Sequence, residues 1–245
     1  MSYAALVAGK RSAPPPFLDR RFDAAGRPLR DSGNTVIAHV PTGPAHDALV
    51  ATRDRLAATS GGACFAWLPP ASYHMTIYDG LLHGRRTEGF WPPDLARDAA
   101  PEVADAFMID RLSRLDPPQP EHFAMKPEAV EPAPGGAGFW VRLTPENAAE
   151  EARICGFRDD CAASVGLAGR PGHDAYTFHI TLAYGVAWPD DAAARDLEAS
   201  LVEADAALKE ALDGIVLGPP EICCFQDMTY FEPKAVLFRK GTAPL

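Results

Sequence analysis

Two short patterns carry side chains suited to acid–base chemistry: His74-x-Thr76 and His179-x-Thr181. Histidine titrates near neutral pH, so of two imidazoles one can be neutral while the other is protonated. Phosphodiester cleavage needs that combination. One ring takes a proton from water or a ribose hydroxyl, and the other gives one to the leaving oxygen. Each role is worth about 10²–10⁴ in rate. A threonine hydroxyl two positions along can hydrogen-bond a non-bridging phosphate oxygen and hold phosphorus between the rings. The scheme calls for no metal and no cofactor.

With seven His and eleven Thr in 245 residues, chance supplies only about 0.3 His-x-Thr matches. Both matches sit in strand-like, aromatic and β-branched segments, 73–80 and 178–185, and each closes on glycine at the same distance. Side chains alternate along a strand. His74, Thr76 and Tyr78 are therefore expected on one face, with Tyr73, Met75 and Ile77 opposite. In the second copy His179 and Thr181 share a face with Thr177 and Ala183, and Phe178, Ile180, Leu182 and Tyr184 lie opposite.

The spacing between the two patterns, 105 residues, also aligns what precedes them. Gly33 meets Gly138, Arg53-Asp54 meets Arg158-Asp159, Gly61 meets Gly166 and Gly80 meets Gly185. Eleven of the 48 positions from 33 to 80 agree. The pattern predicts a duplicated unit of strand, helix, glycine stop, loop and His-x-Thr strand, over about 33–80 and 138–185. The expected fold is α+β, a bilobal pseudo-twofold domain over 33–240 with mainly antiparallel sheets and flanking helices. The two His-x-Thr strands would line a central cleft. Residues 1–32 are expected to be an irregular arm across the surface, and 241–245 a tail.

The His74-x-Thr76 and His179-x-Thr181 pair resembles the two-histidine (2H) phosphoesterase superfamily, which includes RNA 2′,3′-cyclic phosphodiesterases, 2′-5′ RNA ligases and cyclic nucleotide phosphodiesterases. The wording of 33–37, 68–76 and 176–184 is similar to a bacterial and fungal branch known as a domain of unknown function. The resemblance covers about residues 17–240. It implies a bilobal fold and catalytic roles for His74, Thr76, His179 and Thr181. The simplest bacterial members are shorter, so the arm and the region 83–120 are additions.

The net charge is −10, from 23 basic and 33 acidic residues, and the pI is about 5.1. That balance argues against extended nucleic-acid binding, which needs a basic face. It leaves room for a small nucleotide or RNA end in a locally positive cleft. No apolar run reaches transmembrane length, and the first residues carry their positive charges after the apolar stretch, the wrong order for a signal peptide. Five cysteines without zinc-like spacing agree with a cytoplasmic protein. A monomer with no membrane partner is expected.

Strands are predicted over 34–40, 64–68, 121–130, 139–143 and, as a closing hairpin, 221–231 with 235–239. Helices are predicted over 44–58 with Thr42 as cap, in part of 95–115 with an interruption at Pro101, over 145–165 with Thr144 as cap, and from 190 to 212. Pro117, Pro118 and Pro120 end the third of these regions. Tyr78, Arg53 and Arg158 are the further candidates for substrate binding. Tyr78 reads equally as a core-edge aromatic, and ion pairs on helix surfaces suit the two arginines better. His39 and His173 are read as non-catalytic, and no spacing supports a metal held by His39, His74 and His179. The expected activity is that of a cyclic phosphodiesterase acting on a 2′,3′-cyclic phosphate or a related cyclic or 2′-5′ phosphodiester. The alternatives are a non-catalytic nucleotide- or RNA-binding module in the same cleft, and a 2′-5′ RNA ligase.

Overall fold

The structure, a computed structural model, describes residues 2–115 and 121–237. Pro117, Pro118 and Pro120, the end of the predicted 235–239 strand and the 241–245 tail lie outside the described residues. In chain order the elements are α1 (Tyr3–Lys10), β1 (Gly33–His39), α2 (Pro44–Ala57), β2 (Phe65–Trp67), β3 (His74–Tyr78), α3 (Pro101–Leu112) and β4 (Phe123–Pro132). They continue with β5 (Gly138–Pro145), α4 (Ala148–Ser164), β6 (His179–Gly185), α5 (Asp191–Ala211), β7 (Ile215–Leu217), β8 (Glu221–Phe225) and β9 (Glu232–Val236).

Two antiparallel sheets result. One has the order β3-β1-β8-β9 and the other β2-β6-β5-β4-β7. The duplicated units are legible in them. β1, α2 and β3 correspond to β5, α4 and β6, and each His-x-Thr strand pairs with the first strand of its own unit. The sheets meet where β3 passes β6. β2 belongs to the first unit in sequence but pairs with β6, which stitches the two halves together.

The apolar faces of the His-x-Thr strands make the core. Met75, Ile77, Ile180 and Leu182 are fully buried, and Ile37, Phe139 and Val141 cover them from the neighbouring strands. The shared glycines have a steric reason. A Cβ on Gly80 would collide with the backbone of Asn34, and one on Gly138, at φ 150°, with the backbone of Ala183. At the start of both units the close approach is shared, since a Cβ on Gly33, the counterpart of Gly138, would collide with the carbonyl of Leu81, whereas one on Gly185, the counterpart of Gly80, would meet nothing closer than 3.5 Å.

Several local readings are corrected. The arm is not wholly irregular: its first residues form α1, which Ser2 caps and which buries Tyr3 and Val7 against the body. Gly43, not Thr42, stands at the N-terminus of α2, and no side chain caps it. Pro101 opens α3 instead of interrupting a longer helix, since proline at the first turn removes a donor that has no partner there anyway. Thr144 and Pro145 stay in the β4–β5 ladder opposite Lys126 and Met125, so α4 starts later and Asn147 caps it. Sheet pairing has overridden local propensity. β7 was not predicted because three residues carry too little pattern. Cys223 and Cys224 are buried strand residues with free thiols.

Ile180→Asp places an unpaired charge in this core and should destabilise the protein by roughly 4 kcal/mol or more. His179→Ala, on the other face, should leave the denaturation midpoint within about 1 kcal/mol of wild type. Equal losses in chemical denaturation would mean that the histidine is part of the core.

Candidate functional site

The polar faces of β3 and β6 line one cavity of about 430 Å³, and His74, Thr76, His179 and Thr181 all reach its wall. That volume suits a nucleotide-sized ligand. The rings are held in the same way. His74 Nδ1 donates to the carbonyl of Ser72 and His179 Nδ1 to that of Thr177, both at 2.7 Å. The carbonyl two residues back thus takes the Nδ1 proton of each ring, which fixes the neutral tautomer and leaves Nε2 to meet a ligand. Phe231 packs on the His74 ring at 4.2 Å between centroids, and Trp140 on the His179 ring at 4.3 Å. The Tyr176 ring lies 6.0 Å from that of His179 and also lines the cleft.

Burial pushes the His74 imidazole down to about 4, and the nearby His39 and His179 rings push the same way against the Ser72 carbonyl. His179 is also pushed below its ordinary value, first by burial, while the Thr177 carbonyl and Asp79 oppose the shift. Without a ligand both rings are therefore neutral at pH 7. An anionic phosphate between them favours the imidazolium form.

Strict alternation misassigns the residues from the second past each threonine onward. Val36 pairs with Tyr78 but Ile37 with Thr76, so Ile77 is the extra residue of a β-bulge. In β6, Phe139 pairs with Ala183 but Trp140 with Thr181, so Leu182 is extra. The bulges fall at equivalent positions, 105 residues apart. A bulge re-aims the side chains that follow it. Tyr78 turns into the core, 1% exposed and outside the cleft wall, and Asp79 takes its place. In the second copy Ala183 turns inward and Tyr184 lines the cleft.

Arg53 and Arg158 also lie outside the cleft. Arg53 binds the Asp54 carboxylate and the carbonyl of Leu68. Arg158 is buried, donates to the carbonyls of Ile77 and His173, and lies over the Tyr176 ring at 4.3 Å. Its role is to brace β3 and the loop before β6. His39 pairs with Glu221 at 2.8 Å and His173 with Asp159 at 2.8 Å. Among the described residues no three His, Cys, Asp or Glu side chains form a metal-holding group. The cations that do line the cleft are Arg20, Arg21, Arg85 and Arg170. Comparison of the repeats misses them because Arg20, Arg21 and Arg85 lie outside the duplicated units, and Arg170 aligns with Phe65.

A family model, 2H-phosphodiest, described as a domain of unknown function (DUF1868), matches residues 21–134. The fold is similar over 96% of this chain to the crystal structure of the conserved protein of unknown function ATU0111 from Agrobacterium tumefaciens. That match has a TM-score of 0.86 and 30% identity, and covers 98% of the other chain. The chain belongs to the 2H phosphoesterase family. No curated protein matches it. Membership supports a phosphoesterase-type role, and the 2H cleft is where its two His-x-Thr pairs converge. Among the described residues no helix of this 2H protein is long and apolar enough to cross a membrane.

The depressed His74 value has a consequence for stability. Between about 4 and the ordinary 6.5 the folded 2H protein binds fewer protons at this ring than the unfolded chain does. The contribution is therefore present above pH 6.5 and is lost as pH falls toward about 4. His74→Gln removes it, so the variant's melting temperature should fall less steeply than wild type across that window. Parallel slopes would mean that the ring is not held neutral by its site.

Proposed function

We propose that the protein is a phosphodiesterase that opens a 2′,3′-cyclic phosphate, or a related cyclic or 2′-5′ phosphodiester, on a nucleotide or short RNA end. The observation that carries this reading is the matched pair of imidazoles, each tied through Nδ1 to the carbonyl two residues back and each on the wall of one cavity. A binding module needs neither two imidazoles nor their shared tautomer.

The pKa directions divide the labour. His74, down at about 4, is the general base, and His179, where Asp79 opposes the downward push of burial, takes up a proton as the phosphate binds and is the general acid. Nε2 of His74 takes a proton from water as the water oxygen bonds to phosphorus. The bond from phosphorus to one ribose oxygen breaks, and Nε2–H of His179 protonates that oxygen. The product is a nucleoside 2′- or 3′-monophosphate, and solvent exchange resets the two rings. Thr76 and Thr181 hold the non-bridging oxygens. Phe225, Met228 and Phe231 supply an apolar wall for a base near His74. Ligation would use the same groups with a ribose 5′-hydroxyl as the nucleophile in place of water.

Turnover of a 2′,3′-cyclic nucleotide should follow a bell in kcat/KM with its top on the acid side of neutrality, between about 4 and 6.5. The two limbs belong to the coupled pair. The kcat profile should lie higher, because bound phosphate raises both rings. His74→Ala and His179→Ala should each lose about 10²-fold or more in kcat/KM, and the bell with it. Nucleotide binding without turnover on cyclic, 2′-5′ and cyclic-ended RNA substrates would make the binding module the better account.

A further inference from the structure

The proposed hydrolysis leaves a group of cations unused. Arg20, Arg85 and Arg170 line the same cleft but come from the N-terminal arm, the loop after β3 and the loop after α4. Arg170 donates to the carbonyls of Asp79 and Gly80, which plants its guanidinium just beyond the last residue of β3. Arg85 lies over the Phe90 ring at 3.2 Å, and Arg170 is 5.3 Å from the same ring, so one aromatic platform carries two like charges. Burial first, then the charges of Arg170 and Arg20, lower the Arg85 pKa.

Little on the protein neutralises this group. Among the described residues neither Arg85 nor Arg170 has a carboxylate partner within 4 Å. Arg20 reaches Asp31 at 3.8 Å, but Arg21 already holds that carboxylate at 3.2 Å. Asp79 is the acid of the cleft wall among the described residues; it is exposed and acts on Arg85 and His179 only at longer range. A chain with 33 carboxylates and a net charge of −10 thus keeps a locally positive end in its cleft.

Position along β3 sets the anchor of Arg170 apart from His74 and Thr76. The Asp79 anchor of Arg170 is five residues past His74 and three past Thr76. Ile77 is the extra residue of the bulge, so the ladder advances by only about four and about two positions, which is about 13 Å and about 7 Å along the strand. Arg170 is thus anchored along β3 from His74 and Thr76, beside the acid that acts on His179. The other end of the cleft, beside His74, has the apolar wall of Phe225, Met228 and Phe231.

We propose that Arg85 and Arg170, with Arg20 at the rim, form a second anion subsite, so that the substrate is a nucleotide or short RNA end bearing a phosphate besides the one that is cleaved. The identity of the cleaved phosphate rests on the phosphodiesterase reading. The second group is either a terminal 5′-phosphate or the preceding internucleotide phosphate, which share one chemistry.

Calorimetry on the intact protein with three probes tests this. They are adenosine 2′-monophosphate, adenosine 2′,5′-bisphosphate, and a diadenosine carrying one internucleotide phosphate and a terminal 2′-phosphate. At least one of the two-phosphate probes should bind wild type tenfold or more tightly than the monophosphate. A gain with the bisphosphate marks a terminal phosphate, and a gain with the dinucleotide an internucleotide one. Arg85→Gln and Arg170→Gln should each erase most of the gain. Arg55→Gln, the same charge loss at an exposed helix position paired with Glu203, should keep it. No gain with either probe, or a gain that survives both cleft variants, overturns the subsite. A gain without turnover of any cyclic substrate would sink the phosphodiesterase reading and leave the subsite standing. Turnover without a gain would do the reverse.

Discussion

The site depends on one hydrogen bond made twice. In each His-x-Thr strand the imidazole donates Nδ1–H to the carbonyl two residues before it, Ser72 or Thr177. This bond settles which nitrogen faces a ligand, and it needs the strand to enter its sheet at the histidine. That requirement reaches into the rest of the fold. Gly80 and Gly138 let strand ends pack backbone against backbone, and β2 ties the first unit to the second unit's sheet. Buried Arg158 braces the end of β3 from the other unit. The cleft exists because two copies of one strand are held face to face.

Much of this is legible in the sequence because a duplication tests itself. His-x-Thr at one place says little, but the same pair at a constant offset, with matching glycines, fixes two strands and their apolar faces. Ile180 and Met75 fall in the core as alternation requires. Alternation fails two residues past each threonine, once Ile77 and Leu182 have bulged. A bulge is set by pairing with β1 or β5, which no local pattern records. Tyr78 was therefore misplaced as a cleft residue, and Asp79 and Tyr184 were missed. Arg53 and Arg158 fail for another reason: equivalence in the repeat marked shared architecture, and both side chains serve it through Asp54 and through backbone carbonyls.

The electrostatics run against the global charge. An acidic chain presents arginines from three separate segments to one cavity, and two of them share the Phe90 ring. No motif joins these segments; only folding does. Burial meanwhile keeps the histidines neutral until an anion arrives. A site built this way is poorly suited to hold a proton when empty and well suited to gain one when a phosphate enters, which couples substrate binding to the protonation that the chemistry needs.

The central claim is that the two rings act on one phosphate, as a pair, through Nε2. The most direct measurement is nitrogen NMR of histidine-labelled protein titrated with a nucleoside 2′-monophosphate. The account predicts that Nε2 of His74 and of His179 shift together along a single binding curve, while Nδ1 of both stays protonated. If saturating ligand moves only one ring, or if either Nδ1 gives up its proton to the ligand, the paired-imidazole account is wrong.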